Sequence, residues 1–243
     1  MTSHHFIEAT MSDQPQRVLV VLAHPDDPEF FCGATLAKWA RAGNEIHYLL
    51  LTCGDKGSDI PEVTPESLCA DRQAEQRAAA EIIGARAVVF LDYYDGELAN
   101  TRDVQRDIVR AIRRVKPHIV VACDPTTLFR PNNAGINHPD HRAAGAATLD
   151  AIFPAAGNRM YFPELLAEGL EPHAPKQVWL SVTNEPSTWV NVNDTLEIKL
   201  TALRAHASQI KDFAALEKRI RDRLRRADVD GEFYAEGFRV IRF

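Results

Sequence analysis

Strand and helix patterns alternate along the first half of the chain, and this alternation constrains the fold more than any other feature. The run 17–23 (RVLVVLA) is continuously apolar, which is typical of a strand buried on both faces of a parallel sheet. Further strand patterns follow at 45–52, 87–92 and 118–124, and helix patterns lie between them at 65–84 and 102–116. Successive strand–helix–strand units require right-handed crossovers. The pattern predicts an α/β, Rossmann-like three-layer fold with a mainly parallel sheet and helices on both faces.

The pattern loosens beyond residue 150, where several prolines interrupt it. A strand is predicted at 177–183 (QVWLSVT). The capping-box-like sequence 194–197 predicts the start of one long helix that ends near Ala227. The tail predicts an edge strand at 238–241. We find no repeat, low-complexity tract or linker, so we expect a flexible N-terminal arm over 1–16 and a single domain over 17–243.

Composition and charge exclude several classes of protein. The chain is 45% hydrophobic and 26% charged, as in ordinary globular proteins. Its formal net charge of −6 argues against non-specific nucleic-acid binding. Acidic residues are interspersed in the basic run 217–226, which favours a solvated or subunit-facing helix over a nucleic-acid surface and leaves a homo-oligomer open.

Membrane and export signals are also missing from the sequence. No apolar run approaches the ~18 residues of a transmembrane helix, and 1–16 lacks the apolar core of a signal peptide. The four cysteines (Cys32, Cys53, Cys69 and Cys123) are widely spaced. We therefore expect reduced thiols, no membrane partner and a cytoplasmic location.

Polar side chains cluster where the predicted strands end, which is the ligand-binding edge of such a sheet. His24 and Asp27 lie three residues apart in the tight turn after the first strand. His138 and His141 begin the helix after the fourth strand, with Pro139 in its first turn. Residues three apart share a helix face, so both imidazoles can point into one cleft.

Two imidazoles and one carboxylate are the ligand set of a catalytic zinc site with one position left for water. Each motif alone is typical of a solvated turn, but the two together at one sheet edge favour a metal site. The same ligand types form the facial triad of non-haem iron oxygenases, although no oxidant-binding motif accompanies them. A nicotinamide enzyme is disfavoured because the first turn lacks Gly-x-Gly-x-x-Gly.

These motifs resemble the LmbE-like, or PIG-L, family of zinc-dependent N-acetyl-sugar deacetylases. The family hallmarks are Ala-His-Pro-Asp-Asp after the first strand and a later His-Pro-Asp-His, which stand here at 23–27 and 138–141. The resemblance covers most of the chain from residue 17. Its further matches are Gly33-x-Thr35-Leu36, Thr52-x-Gly54-Asp55 and Asp95-Gly96.

The resemblance implies a hydrolase that removes the N-acetyl group of an N-acetylglucosamine-type amino sugar or glycoconjugate by zinc-activated water. The metal ligands for one zinc ion per chain, or for Fe²⁺ or another divalent metal, would be His24, Asp27 and His141. Asp26 would be the general base, and His138 the acid and oxyanion stabiliser. Arg72 and Asp95 are similar to residues that contact substrate.

One position departs from the family pattern, and two alternative functions stay open. Most members have glutamate directly after the aspartate pair, whereas Pro28 stands here and the acid is Glu29. The roles of Glu29 and of His206 are left undecided by the sequence. The alternatives are a metal-dependent amidohydrolase acting on a non-sugar amide and a non-catalytic carbohydrate-binding protein. We further expect the segments 124–137 and 153–190 to shape the substrate entrance.

Overall fold

A seven-stranded sheet forms the centre of the structure, a computed structural model that describes residues 14–130, 135–226 and 231–243. Most of the predicted N-terminal arm lies outside the described residues. The strands are β1 (Arg17–Leu22), β2 (Glu45–Thr52), β3 (Ala87–Tyr93), β4 (Ile119–Cys123), β5 (Gln177–Ser181), β6 (Thr188–Asn191) and β7 (Ala235–Arg242). The helices are α1 (Asp27–Arg41), α2 (Pro65–Ile83), α3 (Arg102–Val115), α4 (Pro139–Asp150), α5 (Glu164–Ala167), α6 (Leu196–Leu203) and α7 (Phe213–Leu224).

The strand order is β3-β2-β1-β4-β5-β7-β6, and the first five strands in this order are parallel. β7 is antiparallel to both of its neighbours. The chain moves outward from β1 to β3 and then returns to place β4 on the other side of β1. The order therefore reverses between β1 and β4, which is the position where such sheets bind ligands.

The alternation of side chains along β1 produces two apolar layers, one on each face of the sheet. Val18, Val20 and Leu22 pack with α1 and α2 on one face. Leu19 and Val21 pack with α3 and α4 on the other face. Every one of these residues is at most 2% exposed, because both faces are covered. The predicted three-layer α/β fold is confirmed.

The helix that was predicted to run from 194–197 to near Ala227 is wrong, since the structure has two helices there. α6 ends at Leu203, and α7 begins at Phe213 after an Asp212 cap whose side chain accepts a hydrogen bond from the amide of Ala215. Between them the chain turns inward and buries His206. Ala227 lies outside the described residues.

The predicted edge strand at 238–241 is also wrong in its position. That segment is part of β7, which lies inside the sheet between β5 and β6. The edge is β6, a four-residue strand that the sequence analysis did not predict. β6 follows a proline-interrupted segment and is only partly buried, so its apolar pattern is weak.

Two cysteines differ from the expectation of four reduced thiols. Cys53 and Cys69 form a disulfide, whereas Cys32 and Cys123 are free and buried. The loop after β2 returns alongside the first turns of α2 and brings the two sulfurs together. The pairing arises from this tertiary approach, because the two residues are 16 positions apart in sequence.

Most of the proline-rich excursion does not lie at the carboxyl edge of the strands. Arg113, near the end of α3, donates to main-chain carbonyls between Ala155 and Phe162. His173 contacts the carbonyl of Pro117, just before β4 begins. This part of the segment therefore lies at the opposite, amino edge of the sheet, and the expectation that it shapes the substrate entrance is wrong. None of the described helices is long and apolar enough to cross a membrane.

Candidate metal and catalytic site

The loops after β1 and β4 meet at the point where the strand order reverses, and they bring together the histidines and aspartates of the two sequence motifs. The turn after β1 supplies His24, Asp26 and Asp27. The start of α4 supplies His138 and His141. The ring centroids of His24 and His138 are 4.7 Å apart, and those of His24 and His141 are 5.2 Å apart.

Asp27 lies between the two buried histidines. Its Oδ1 is 3.1 Å from Nε2 of His141, and its Oδ2 is 3.4 Å from Nδ1 of His24. The backbone amide of His24 also donates to Asp27 Oδ2. All three side chains are nearly buried, at 8% exposure or less. The three predicted metal ligands are therefore neighbours in one buried space, although Asp27 is in neither of the tighter groups of potential ligand atoms described below, and their role as ligands stays a prediction.

Two residues that the sequence analysis did not single out orient these histidines. Asn137 Oδ1 is 3.0 Å from His141 Nδ1, which leaves Nε2 facing Asp27. Asp140 Oδ2 is 3.2 Å from His24 Nε2 and also accepts a hydrogen bond from the amide of Gly96. A hydrogen bond on one ring nitrogen fixes which nitrogen can bind a metal. Asp140 stands inside the His-Pro-Asp-His motif, so its sequence position was a usable signal.

His138 and Asp95 complete the cluster on its open side. The His138 side chain is 39% exposed, against 8% for His24 and for His141. Asp95 Oδ1 lies 3.0 Å from His24 Nε2 and 4.0 Å from His138 Nε2. Potential ligand atoms within 4.8 Å of one another form two overlapping groups, His24–His138–His141 and His24–Asp95–His138–Asp140. His138 is thus the member of the cluster that a substrate reaches most easily.

Charge–charge contacts shift the pKa values of these groups strongly. Burial alone would lower the pKa of His24, but hydrogen bonds with Asp140, Asp27 and Asp95 raise it well above its usual range. Burial would raise the pKa of Asp27, yet His141 and His24 hold it well below its usual range. Burial and the neighbouring His24 lower the pKa of His138. Such opposed shifts in one cleft are typical of functional sites.

Asp26 has a strained backbone and a carboxyl group that is not used to cap α1. Its φ is 90°, a left-handed value that costs a non-glycine residue on the order of 1–3 kcal/mol. Its amide donates to Gln76 Oε1 at 2.8 Å, and its Oδ2 is 3.3 Å from Nη2 of Arg72. Burial raises the pKa of Asp26 to about 6, although Arg72 opposes the rise. A carboxyl group with this pKa can take up a proton near neutral pH.

Arg72 is surrounded by main-chain groups as well as by Asp26. Its Nη1 donates to the carbonyl of Gly54, and its Nη2 donates to the carbonyl of Pro25. A Cβ atom at Gly54 would lie 2.1 Å from Nη1, which explains why glycine stands there. The Arg72 residue is only 4% exposed. Direct contact of Arg72 with substrate stays a prediction, and so does that of Asp95.

The two residues that the sequence left undecided meet beneath this site. Glu29 and His206 are both at most 1% exposed, and His206 Nε2 is 3.1 Å from Glu29 Oε2. Burial would lower the pKa of His206, but the hydrogen bond with Glu29 raises it. The same Glu29 oxygen accepts a hydrogen bond from Gln76 Nε2 at 3.0 Å. Pro28 occupies the first turn of α1 without disturbing this contact.

The chemistry of the donor set fits a divalent metal. Buried carboxylate and imidazole groups are the ligands that zinc and related divalent metals take in catalytic sites. In this cluster the carboxylates surround His24 and His141 closely enough to favour an additional positive charge between them. A divalent cation held by His24, Asp27 and His141 would supply that charge.

Comparison with known proteins agrees with the fold and the motifs. A family model described as PIG-L: GlcNAc-PI de-N-acetylase matches residues 19–152. The diacetylchitobiose deacetylase of Thermococcus kodakarensis is 35% identical over 229 residues, which cover 93% of this chain and 83% of the relative. A 1D-myo-inositol 2-acetamido-2-deoxy-alpha-D-glucopyranoside deacetylase of Kineococcus radiotolerans is 28% identical, with 82% of this chain and 70% of the relative covered.

A solved structure is similar over nearly the same length. It is the N,N'-diacetylchitobiose deacetylase of Pyrococcus horikoshii in complex with its inhibitor MPG. The TM-score is 0.85 at 29% identity, and the match covers 93% of this chain and 84% of that chain. The range 19–152 that the family model matches includes both the His-Pro-Asp-Asp turn after β1 and the start of α4.

Proposed function

Since the chain belongs to the PIG-L (GlcNAc-PI de-N-acetylase) family, we propose that it is a metal-dependent deacetylase that hydrolyses the N-acetyl group of N-acetylglucosamine-type sugars. One observation supports this most directly. A buried set of two imidazoles and a carboxylate is flanked by two further groups with suitable chemistry, Asp26 and the accessible His138. A protein that only binds sugar requires neither flanking group.

Zinc is the cation that we propose for His24, Asp27 and His141. When bound there, it would polarise the acetyl carbonyl and lower the pKa of a neighbouring water. Asp140 and Asn137 hold the two imidazoles in the orientation that such binding requires.

Asp26 is proposed as the general base. Its carboxylate is adjacent to the ligand Asp27 but is turned toward Arg72, so it is free to accept a proton from the attacking water. Its pKa of about 6 leaves it mostly ionised at neutral pH. A base with a pKa near the working pH is the most effective, because it is both available and strong enough.

His138 is proposed as the oxyanion stabiliser and the acid. It is the most exposed histidine of the cluster, and its ring stands beside His24 on the open side. Its lowered pKa makes it ready to release a proton to the leaving amine, while the nearby carboxylate of Asp95 favours the protonated form. The C–N bond of the amide breaks, water supplies the hydroxyl of acetate, and the sugar leaves as a free amine.

The other predictions about partners and location remain proposals. We propose a small amino-sugar substrate, no nucleic-acid or membrane partner and a cytoplasmic location, with a homo-oligomer left open. The basic run on α7 is consistent with this, because Lys218 pairs with Asp222, and Arg221 pairs with Glu197 and Glu217. Sedimentation of the purified protein measures the oligomeric state directly.

Acetate release tests the proposed function. The purified protein, loaded with one zinc ion per chain, is offered N-acetylglucosamine, N,N'-diacetylchitobiose, an N-acetylglucosaminyl inositol and N-acetyl-lysine. We expect acetate from at least one sugar and none from the lysine derivative. Asp124→Asn is the matched control for substitutions of the site aspartates. Asp124 is a buried aspartate at the same sheet edge, but it bonds to Thr126 and Thr183 instead of the cluster. Acetate from N-acetyl-lysine alone would identify a non-sugar amidohydrolase, and no acetate from any compound would refute the proposal.

A further inference from the structure

We propose that Gln76, Glu29 and His206 form a buried hydrogen-bonded chain whose role is to hold the general base Asp26 in its left-handed backbone conformation. This inference rests on the proposed function, because it assigns Asp26 a catalytic task. It makes Gln76 a positioning residue. It also gives a purpose to Glu29 and His206, whose side-chain bonds among the described residues are with each other and with Gln76 and not with the metal cluster. The chain links α1, α2 and the segment between α6 and α7.

The bonds of the chain converge on Glu29 Oε2, which contacts His206 on the interior side and accepts from Gln76 on the side of the site. His206 Nε2 lies 3.1 Å from Glu29 Oε2, and Gln76 Nε2 donates to the same oxygen at 3.0 Å. The other end of the Gln76 amide, Oε1, accepts the backbone N–H of Asp26 at 2.8 Å. Gln76 and Glu29 are each fully buried, and the two bonds to Glu29 Oε2 are buried as well.

The orientation of the Gln76 amide depends on Glu29. A glutamine amide can turn over and present its NH₂ group where its oxygen was. The carboxylate oxygen Glu29 Oε2 can accept hydrogen bonds but cannot donate them. It therefore selects the orientation of the Gln76 amide in which Nε2 points toward it. Oε1 must then face Asp26, where it can accept the N–H. His206 in turn fixes the carboxylate of Glu29 by contacting the same oxygen.

Asp26 requires this support because its backbone conformation is strained and no capping bond of its own side chain holds it. Its φ of 90° is unfavourable for a residue with a Cβ atom, and its side chain makes no capping bond to α1. Arg72 holds the carboxylate, but only Gln76 among the described side chains bonds to the backbone amide of Asp26. Loss of the Gln76 bond would leave a partly buried N–H without its side-chain acceptor and allow the Asp26–Asp27 peptide region to turn.

The first test compares Gln76→Leu and Gln76→Asn with the wild-type enzyme. The shorter amide of Asn cannot span Glu29 and Asp26, so both variants lose the bond while Asn keeps a polar side chain in case Leu prevents folding. We expect kcat to fall by roughly 10- to 100-fold, the range for residues that orient a catalytic group. KM and the zinc content should stay unchanged, because neither substrate binding nor the ligands involve this bond. Equal losses of kcat and of bound zinc would overturn the inference.

Glu29 provides the conservative comparison. In Glu29→Gln an amide oxygen still accepts from Gln76 and His206, so kcat should stay within about threefold of wild type. In Glu29→Leu the acceptor is gone, and kcat should fall as far as in Gln76→Leu. Thr148→Val is the matched control, because it removes one buried hydrogen bond, to the carbonyl of Ala144 in α4, away from the chain. If Glu29→Gln is as inactive as Glu29→Leu, the hydrogen-bond chain does not explain the role of Glu29.

Crystal structures of Gln76→Asn and the wild type provide a readout that does not depend on activity. We expect Asp26 to leave the left-handed region in the variant while His24, Asp27 and His141 keep their positions. An unchanged φ at Asp26 would overturn the inference even if the deacetylase activity is established. Conversely, a changed φ together with a wild-type protein that releases no acetate would support the chain and refute the proposed function.

Discussion

The two ends of the parallel strands bury charge in opposite ways. At the carboxyl edge, imidazoles and carboxylates contact one another, as in the pairs His24–Asp95 and His141–Asp27. At the amino edge, the fully buried guanidinium of Arg113 is bonded to five main-chain carbonyls between Ala155 and Phe162 and, within the described parts of the chain, to no carboxylate. The imidazoles of the carboxyl edge are paired with side chains, whereas the buried guanidinium of the amino edge is bonded to backbone.

This difference separates function from stability. A side chain at the carboxyl edge can replace its side-chain partner with a cation, a substrate atom or a proton. The protonation and ligation of this edge can therefore change while the fold persists. Backbone carbonyls belong to the chain path itself, so the Arg113 bonds fix the path of the segment between α4 and β5. We therefore expect substitutions at the carboxyl edge to change activity at constant stability, and substitutions at the amino edge to do the reverse.

The largest effect is expected for Asp26→Asn. The amide keeps the size of the side chain but cannot accept a proton, so kcat should fall by up to about 10⁴-fold, or roughly 5 kcal/mol of transition-state stabilisation. The zinc content and the midpoint of urea unfolding should match the wild type. Single-turnover acetate release and metal analysis measure the two quantities. Loss of zinc in this variant would show that Asp26 is a ligand, which would contradict its assignment as the general base.

Arg113→Met should produce the strongest effect at the amino edge. The long apolar side chain fills the space but leaves several buried carbonyls without donors, and we expect the free energy of unfolding to fall by about 3–4 kcal/mol. The value of kcat at 20 °C should be unchanged. Arg110→Met on the same helix is the matched control, since its pair with Glu168 is exposed and should contribute no more than about 1 kcal/mol. A stable Arg113→Met would contradict the comparison.

The sequence predicted the parallel half of the fold because its signals are local. The bounds of β2 were predicted to the residue, and α2 begins after the Thr64 cap and ends at Gly84, whose φ is 88°. Continuous apolar runs and caps act within a few residues, so they are visible without the fold. The two site motifs were visible for a related reason, since the first directly follows β1 and the second begins the helix that comes after β4.

The missing elements depend on contacts between distant parts of the chain. No glycine or proline marks the break between α6 and α7, which forms because His206 turns inward to Glu29, 177 residues away in sequence. The contact of Gln76 with Asp26, 50 residues apart, has no motif. The Cys53–Cys69 disulfide likewise requires the loop after β2 and α2 to approach each other.

The Cys53–Cys69 disulfide lies at the carboxyl edge, but we expect it to contribute to stability and not to activity. Its removal therefore tests whether stability and activity can be separated within this one edge. Closing a loop of this length stabilises the fold by about 2–3 kcal/mol in the chain-entropy treatment. We expect Cys53→Ser/Cys69→Ser to lose that amount in urea unfolding and to keep kcat within about threefold. Dithiothreitol should lower the stability of the wild type to the same value and leave the double variant unchanged. A large loss of kcat would show that this edge does not separate stability from function.

The smallest of these effects is expected for Asn137→Ala, which removes the partner of a proposed ligand without touching the ligand. Asn137 Oδ1 fixes the ring of His141 so that Nε2 faces Asp27. Without this contact the ring can rotate, and we expect zinc to bind roughly 10- to 100-fold more weakly, or about 1.4–2.7 kcal/mol. Asn137→Asp keeps an acceptor for His141 Nδ1–H and should bind zinc at least as tightly as the wild type. Competition with a chromogenic chelator measures both affinities, with Asn184→Ala as the control because Asn184 bonds to the carbonyl of Phe129 and not to the cluster. Equal zinc affinity in Asn137→Ala and the wild type would mean that Asp27 and α4 alone orient His141, and the carboxyl edge would then rely on its backbone as the amino edge does.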